Sequence, residues 1–373
     1  MTETRAKGRG RLAAIPRFHW AYFGAHLGLF FGYIPFFGLF LPVRVAQISD
    51  SALYDQSIIV LTGSVAASIA GVFSGRISDA WHRRTGQRRP IIWAGLSVIV
   101  SSYVLFAYSG TITALIGAII VLQIGINLTL AGLGAMFALH TAAGDKARLA
   151  SVVNLCLPIA NLGILLGASG DGVGASGGQL AALCAVMAAL FLPMMAWRGA
   201  GTPLMTAKAA RAAHRVYAAI PDTASYLGVF GARLLVQFSG ALLLTFAQPY
   251  LLSRFPEYSA GRVQDLFVLM VVAAAMLAVP VALTATWAAA ARVNPLTINM
   301  ASAALLAAAM AVLAVAVSPV LIIIGYAVFM SAMVSYLAID TAVIAQWLAA
   351  SPALATRLGL MNLANTLPGI APM

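Results

Sequence analysis

Charged side chains are scarce in this sequence. They make up 9% of its 373 residues, whereas soluble domains carry about 25%. A soluble fold could not cover its surface with so few charges. The hydrophobic share is 62% and the mean hydropathy is +0.94. The composition therefore excludes an ordinary soluble globular protein and indicates a chain whose outer surface faces lipid.

Acidic residues are especially few. The chain has 22 Lys and Arg against 10 Asp and Glu, which gives a net charge of +12 and a pI near 10.2. In a soluble protein this excess would suggest nucleic-acid binding. Here the basic residues lie in short segments between apolar stretches, and no nucleic-acid motif accompanies them. We therefore expect no nucleic-acid partner and interpret the basic residues as signals of membrane orientation.

Cysteine and histidine are also rare. Cys156 and Cys184 each lie inside an apolar stretch, without CxxC or His-spaced context, so no metal site, redox site or cofactor is expected. None of the five histidines stands in HxxxH spacing. Because no nucleophile and base combination is recognisable either, an enzyme is not expected.

Long apolar runs, by contrast, are abundant. A bilayer is crossed by about 20 apolar residues in a helix, and these runs are too long and lack the alternation of membrane strands. The sequence therefore predicts an all-α, polytopic membrane helix bundle with ten complete spans and the start of an eleventh. The spans are predicted at 18–42, 57–77, 91–109, 112–139, 149–169, 179–197, 225–252, 266–289, 296–317, 320–345 and from 358 onward.

The basic residues predict how these spans are oriented. With the N-terminus inside, 18 Lys and Arg fall in inner segments. The outer segments hold only Arg44, Arg254 and Arg262, and Arg233 lies within a span. Cytoplasmic loops carry the excess of Lys and Arg. We therefore predict a multi-pass protein of the inner or plasma membrane with a cytoplasmic N-terminus and lipid as its surrounding partner.

Three short matches indicate an internal duplication. They are 13–16 with 218–221, 23–27 with 230–234, and 139–142 with 339–342. Two six-helix halves related by an axis along the membrane normal are a known transporter architecture. The predicted organisation is a cytoplasmic tail 1–17, an N-terminal half 18–197, a cytoplasmic linker 198–224 and a C-terminal half 225–373. Because a six-plus-six repeat needs an eleventh and a twelfth span, we expect this chain to be a truncated product.

The loop between the second and third spans carries the most specific motif. Residues 75–90 read GRISDAWHRRTGQRRP, which resembles the signature loop of the major facilitator superfamily. The ending RxGxRRP is most similar to the glycoside–pentoside–hexuronide cation symporters and the sucrose–proton symporters, and 356–368 is similar to the eleventh-helix entrance of bacterial members. The sequence departs from the family pattern at Ala80 and at Gln87, where basic residues are usual.

The resemblance implies a gating loop. It implies that Asp79 interacts with the start of the eleventh helix near Arg357. Independently of the family, a glycine at position 75 allows close helix approach, and arginines anchor at lipid headgroups. An alternative is that the arginines only set topology. The residues predicted to form the gating loop are Gly75, Asp79, Arg84, Gly86, Arg88, Arg89 and Arg357.

A few ionisable residues are predicted within the membrane. Such residues usually face a cavity or a partner. Arg233 and His26 occupy matching places in the repeat, so we expect both to line one central cavity, the alternatives being a snorkelling arginine and a packing histidine. Asp340 and its repeat counterpart His140 are candidates for proton coupling, although Asp340 is predicted near the inner surface. Sodium coupling is not expected, because spans one and two contain no acid before Asp79 and a hard cation prefers oxygen ligands.

Amide and aromatic side chains within the spans suggest the type of solute. Sugar recognition uses amide hydrogen bonds and an aromatic face, although the same amides can join helices. The candidates for substrate contact are Tyr33, Gln123, Asn127, Asn154 and Gln237, with Trp20, Tyr22, Asn161 and Gln248 beside them.

These observations favour a secondary active transporter that works by alternating access. The predicted partners are a small-molecule solute of the sugar class and protons, so the favoured function is proton-coupled symport of a sugar or glycoside. Because the same fold supports other transport reactions, proton-coupled efflux of a drug or metabolite is the alternative. A membrane-embedded enzyme and an inactive fragment are the alternatives of another class.

Overall fold

The computed structural model describes residues 17–142, 145–156, 159–160, 177–197, 223–290, 294–348 and 354–369. Every regular element within these ranges is helical. Residues 1–16 of the predicted tail, 198–222 of the predicted linker and most of the predicted fifth span, including Asn161, lie outside the described residues.

The described residues of the N-terminal part of the bundle include seven α-helices. They are α1 (Arg17–Pro35), α2 (Leu41–Ile48), α3 (Ala52–Thr85), α4 (Arg89–Ala107), α5 (Ile112–His140), α6 (Lys146–Asn154) and α7 (Gly177–Ala196). Those of the C-terminal part include five more, namely α8 (Thr223–Arg254), α9 (Ala260–Ala290), α10 (Pro295–Val315), α11 (Pro319–Leu348) and α12 (Leu354–Thr366), the last followed by a 3₁₀ turn at Leu367–Gly369.

Apolar length explains most of these helices. Seven of the described helices are long and apolar enough to cross a membrane. In lipid every backbone N–H and C=O group must be satisfied within the segment, and a helix does this. The helices also continue into polar flanks. For example, α3 extends eight residues beyond the predicted end at 77, and it ends where Gly86 takes a left-handed φ of 69° and donates its N–H to the His82 carbonyl at 2.8 Å.

The first predicted span, 18–42, is helical throughout. A π-helical turn at Phe36–Phe40 lies within it, between α1 and α2. Pro35 stands at the junction. Proline has no N–H to donate within a helix, and its ring crowds the preceding turn. An apolar run alone does not reveal such a turn.

Helix packing produces one apolar cluster that lies mainly in the N-terminal half and extends to Ile344, Leu348 and Met361 of the C-terminal half, and two further clusters within the C-terminal half. In the N-terminal half α1 packs on α7, and α4 packs along α5. In the C-terminal half α11 packs against both α9 and α10. Large apolar side chains also remain on the outside of the bundle, among them Ile69, Phe73, Trp93 and Val104. This outer surface fits the predicted contact with lipid.

Candidate functional site: a central cavity and the closed end of the bundle

A cavity of about 390 Å³ lies between the two halves. Its lining comes from α1, α3 and α5 on one side and α12 on the other. None of the described lining residues carries a charged side chain. The lining residues are Leu29, Phe30, Tyr33, Ser64, Ala67, Gln123, Ile126, Asn127, Leu130, Asn362, Asn365 and Thr366.

Helical spacing places the polar groups of this cavity. Gln123 and Asn127 are four residues apart on α5, and Asn362, Asn365 and Thr366 are three and four residues apart on α12. Side chains at such spacings share one face of a helix. The polar side chains that line the cavity therefore lie on one face of α5 and on one face of α12.

The amides form a continuous chain across the cavity wall. Asn365 Oδ1 accepts from Gln237 Nε2 at 2.8 Å and from Arg233 Nε at 2.9 Å. Asn365 Nδ2 donates to Asn362 Oδ1 at 2.8 Å, and Asn362 Nδ2 donates to Asn127 Oδ1 at 3.4 Å. Hydrogen bonds thus connect α8 through α12 to α5, and so connect one half with the other.

An ion pair lies directly behind this chain. Arg233 Nη1 on α8 is 2.6 Å from Asp340 Oδ2 on α11, and the two side chains are 12% and 4% exposed. Asp340 lies on α11, which continues to Leu348, two turns before the end of that helix. Pairing compensates for the cost of burying each charge.

His26 and Arg233, which we expected to line one central cavity, both lie outside the lining of this cavity. His26 Nδ1 lies 3.2 Å from the Tyr22 carbonyl, and its ring packs against the Tyr22 ring in a tilted arrangement with the centroids 4.3 Å apart. Neither His26 nor Arg233 is a lining residue; Arg233 reaches the cavity only through Asn365. Aromatic packing on α1 therefore determines the environment of His26.

Two other predicted site residues also lie elsewhere. His140 packs against Phe18 and Trp197, with ring centroids 5.8 and 5.0 Å away. The Asn154 Nδ2 group is buried without a hydrogen-bond partner in the described part of the chain, and Asn154 does not line the cavity. In contrast, Tyr33, Gln123 and Asn127 line it directly, and Gln237 contacts its wall through Asn365.

Asp79 joins the two halves at the end of the bundle that carries the loop 75–90, hereafter the loop end. Asp79 Oδ1 accepts from the Ala355 N–H at 3.0 Å, and Oδ2 accepts from the Thr356 N–H at 2.8 Å and its hydroxyl at 2.9 Å. These are the first N–H groups of α12, which have no partner within the helix. A carboxylate there also interacts favourably with the helix dipole.

Arg88 completes the Asp79 site. Its Nη2 donates to Asp79 Oδ1 at 3.1 Å and its Nη1 donates to Ser78 Oγ at 3.1 Å. Arg88 is 8% exposed and Asp79 is 2% exposed. Burial lowers the pKa of Arg88 and the neighbouring Asp79 carboxylate opposes that change, so the guanidinium stays charged. One carboxylate therefore serves a buried ion pair and a helix start together.

The other predicted loop residues have different environments. Arg84 and Arg357 are exposed, and Arg89 is partly buried at the first position of α4. Asp79 contacts the backbone just before Arg357 rather than the Arg357 side chain. The Arg357 carbonyl accepts from the Tyr226 hydroxyl at 2.8 Å.

Glycines bring α3 and α12 into backbone contact at the loop end. A Cβ atom at position 75 would lie 2.7 Å from the Thr356 Cα, and one at position 359 would collide with the Gly71 carbonyl. Real Cβ atoms do not come this close. Close approach through small residues is the usual way in which membrane helices pack.

Lys146 forms a second connection between the halves that the sequence did not reveal. It is fully buried at the start of α6 and donates to the Ala138 carbonyl at 2.7 Å and the Ala345 carbonyl at 3.3 Å. These carbonyls lie in the last turns of α5 and α11, where helices leave acceptors unsatisfied. From the sequence, Lys146 was predicted only to be a basic residue of an inner segment, because this contact depends on tertiary packing.

The spacing of Asn362, Asn365 and Thr366 was visible in the sequence and could have identified these residues as candidates for the cavity lining.

A polytopic helical bundle whose two halves enclose a central polar cavity is the architecture of secondary transporters. No protein-family model and no curated protein matches the chain. Solved structures do match it. A bacterial homologue of the iron transporter ferroportin, in an outward-facing state, is 13% identical with a TM-score of 0.71, over 95% of this chain and 90% of that chain.

Two further neighbours have the same fold. The human organic anion transporter MFSD10 (TETRAN) is 16% identical with a TM-score of 0.65, over 95% of this chain and 94% of that chain. The major facilitator proton:xylose symporter XylE, bound to 6-bromo-6-deoxy-D-glucose, is 14% identical with a TM-score of 0.63, over 95% and 87%. The chain therefore has the major facilitator fold. All of these neighbours are transporters rather than enzymes.

Proposed function

We propose that this protein is a secondary active transporter that moves a neutral, hydroxyl-rich solute of the sugar class together with protons. The observation that carries the proposal is the cavity between the halves, lined by amides, hydroxyls and Tyr33 and joined to a buried ion pair. Ligand sites combine apolar and aromatic walls with a few directed polar groups. The cavity has this composition.

The neutral lining favours a sugar over a charged solute. Leu29, Phe30 and Tyr33 contribute apolar and aromatic surface to the lining, and α5 and α12 contribute amides. A charged solute would require a countercharge in such a site, and the described lining offers none. The structural likeness to a proton:xylose symporter supports the same substrate class.

The ion pair supports proton coupling. Protonation of Asp340 would remove its charge and leave Arg233 with Asn365 as its other partner. Asn365 lines the cavity and bonds to both Arg233 and Asn362. A change in the position of Arg233 would therefore alter the hydrogen bonds that Asn365 offers to the solute. Linkage between proton binding and solute affinity then follows.

The conformation of the bundle fits alternating access. The contacts of Asp79 with α12 and of Lys146 with Ala345 close the loop end. With the predicted topology, in which the loop end is cytoplasmic, this state faces outward. We also propose that the halves 18–197 and 225–373 rock against each other about the cavity, as repeat-built transporters do.

Uptake into proteoliposomes tests the proposal. The protein would be reconstituted and supplied with labelled xylose, glucose or sucrose, with and without an inward pH gradient. We expect accumulation of one of these sugars that depends on the gradient and is abolished by a protonophore. Sodium gradients at constant pH should have no effect. Sugar uptake that is independent of the pH gradient would contradict proton coupling. Absence of uptake for all three sugars would contradict the proposed substrate class.

A further inference from the structure

Asn362 and Thr366 on α12 line the cavity, and each also forms a hydrogen bond to the N-terminal half. We propose that Asn362 and Thr366 bind two hydroxyls of the solute, and that these bonds replace the bonds from Asn362 and Thr366 to the N-terminal half. The inference rests on the proposed function. It assigns a substrate contact and an opening signal to the same pair of residues.

The contacts to be replaced are direct. Asn362 Nδ2 donates to Asn127 Oδ1 at 3.4 Å, and the Thr366 and Ser68 hydroxyl oxygens are 2.9 Å apart. Asn127, Asn362 and Thr366 line the cavity, and Ser68 follows the lining residue Ala67 by one position on α3. A solute in the cavity therefore reaches the same polar atoms that hold the halves together.

When solute hydroxyls replace these contacts, each donor keeps a partner, because Asn362 Nδ2 then donates to the solute. Asn127 Nδ2 donates to the Gln123 carbonyl at 2.9 Å, and Asn362 Oδ1 accepts from Asn365. The Ser68 hydroxyl can donate to the Ser64 carbonyl at 2.9 Å, and the Thr366 hydroxyl can donate to the Leu363 carbonyl at 3.3 Å. Loss of a partner is costly only when a buried group is left unsatisfied. Both contacts between the halves are therefore exchangeable.

Hydroxyl groups suit these atoms. The Asn127 Oδ1 acceptor faces the Asn362 Nδ2 donor at 3.4 Å, a distance longer than that of a good N–H···O bond. A hydroxyl both donates and accepts, so a single solute hydroxyl can bond to the two amides together. Asn362 and Thr366 are four residues apart, which places them about one helical turn from each other. Non-adjacent hydroxyls of one sugar ring can reach both.

The hydrogen bonds that join the halves at the loop end cannot be exchanged with a solute in this way. Asp79 with the start of α12 and Lys146 with Ala345 are buried away from the lining residues. A solute in the cavity cannot compete for those bonds. The closure is thus divided into a part that the solute can weaken and a part that it cannot.

The test compares Thr366→Val and Asn362→Leu with Thr129→Val in proteoliposomes. Thr129 is a buried threonine on α5 outside the cavity, and its hydroxyl donates to its own helix at the Gly125 carbonyl, so Thr129→Val is a matched control. The probe is whichever of xylose, glucose or sucrose the wild type accumulates, together with its single-deoxy analogues. Thr366→Ser, which keeps the hydroxyl, serves as the conservative variant.

We expect KM to rise about tenfold in Thr366→Val and in Asn362→Leu, the effect of losing one hydrogen bond to the solute. Each variant should also stop discriminating against the deoxy analogue that lacks the hydroxyl bound at that position. Thr366→Ser should keep the discrimination against the deoxy analogue, and Thr129→Val should keep the wild-type KM. Unchanged KM and unchanged discrimination in both variants would overturn the inference alone. Failure of the wild type to accumulate any probe would overturn the proposed function and the inference together.

Discussion

Arg233 on α8 and Asp340 on α11 form an ion pair, with Arg233 Nη1 2.6 Å from Asp340 Oδ2. Asn365 accepts a hydrogen bond from the Nε of the same guanidinium. One arginine therefore contacts a titratable carboxylate and a residue of the cavity wall.

Asp340→Asn should abolish accumulation driven by a pH gradient and preserve exchange of labelled for unlabelled solute. The amide is close in size to the carboxyl group but cannot take up the coupling proton. The measurement is uptake and counterflow in the same vesicles. Asp265→Asn, at an exposed carboxylate on α9, is the control and should retain both activities. Persistent gradient-driven accumulation in Asp340→Asn would exclude this residue from coupling.

Arg233→Gln should reduce transport by on the order of tenfold or more, because Asp340 then loses a charge-assisted hydrogen bond worth about 1.5–3 kcal/mol. Arg233→Lys should retain part of the activity, since lysine keeps the charge but cannot bond to both Asp340 and Asn365 with one planar group. Transport rates measured at several pH values separate the two variants. Equal, wild-type rates in both would show that the charge at position 233 has no role in transport.

Asp79→Asn should shift the protein toward states that are open at the loop end. An amide cannot accept all the bonds that Asp79 accepts, and it leaves Arg88 buried without its ion-pair partner. Removing one partner of a buried pair costs about 3–5 kcal/mol. Spin labels at positions 85 and 357 report the separation of the halves by double electron–electron resonance, on a background with Cys156→Ala and Cys184→Ala. Arg84→Gln, at an exposed residue, should leave the distance distribution unchanged.

Gly75→Ala should have a similar effect by a steric route. An added Cβ would lie 2.7 Å from the Thr356 Cα, so α3 and α12 would have to separate. Gly231→Ala is the matched control, because a Cβ at that helical position meets no neighbouring atom within 4 Å. The measurement is again the distance between spin labels at positions 85 and 357, in both variants. If both variants keep the wild-type distances, α3 and α12 can adapt without separating and the close approach does not control closure.

Single cysteines test the predicted topology. Position 85, at the end of α3, should react with an impermeant thiol reagent only after the membrane is permeabilised, on the background without Cys156 and Cys184. Position 257, in the turn between α8 and α9, should react in intact cells. The basis is the concentration of Lys and Arg on one side. Labelling of position 85 from outside intact cells would reverse the scheme.

The helices could be predicted from the sequence because lipid leaves the backbone few alternatives. An apolar run of sufficient length forms a helix wherever it crosses the bilayer, so α4 and α5 begin and end close to their predicted bounds. Asp79 was also predictable in outline, since the loop motif points to the start of the eleventh helix. The π-helical turn after Pro35 was not, because it depends on how α1 packs locally.

The polar contacts between helices were harder to predict. Arg233 and His26 match in the repeat, but in the structure Arg233 bonds to Asp340 and the His26 ring packs against the Tyr22 ring. Symmetry of position therefore did not imply symmetry of environment. The ion pair between Arg233 and Asp340 was not among the sequence-based expectations. Side-chain partners depend on the rotation of each helix about its axis, which hydropathy does not determine.

Lys146 has a thermodynamic consequence for the transport cycle. When the loop end is closed its ammonium group is fully buried against the carbonyls of Ala138 and Ala345. Separation of the halves would expose it to water. Each opening would then exchange the hydrogen bond to Ala345, which lies in the other half, for hydration of an ion, and these two terms oppose each other. The smaller their net difference, the more readily the binding energy of one solute molecule can shift the population from one state to the other.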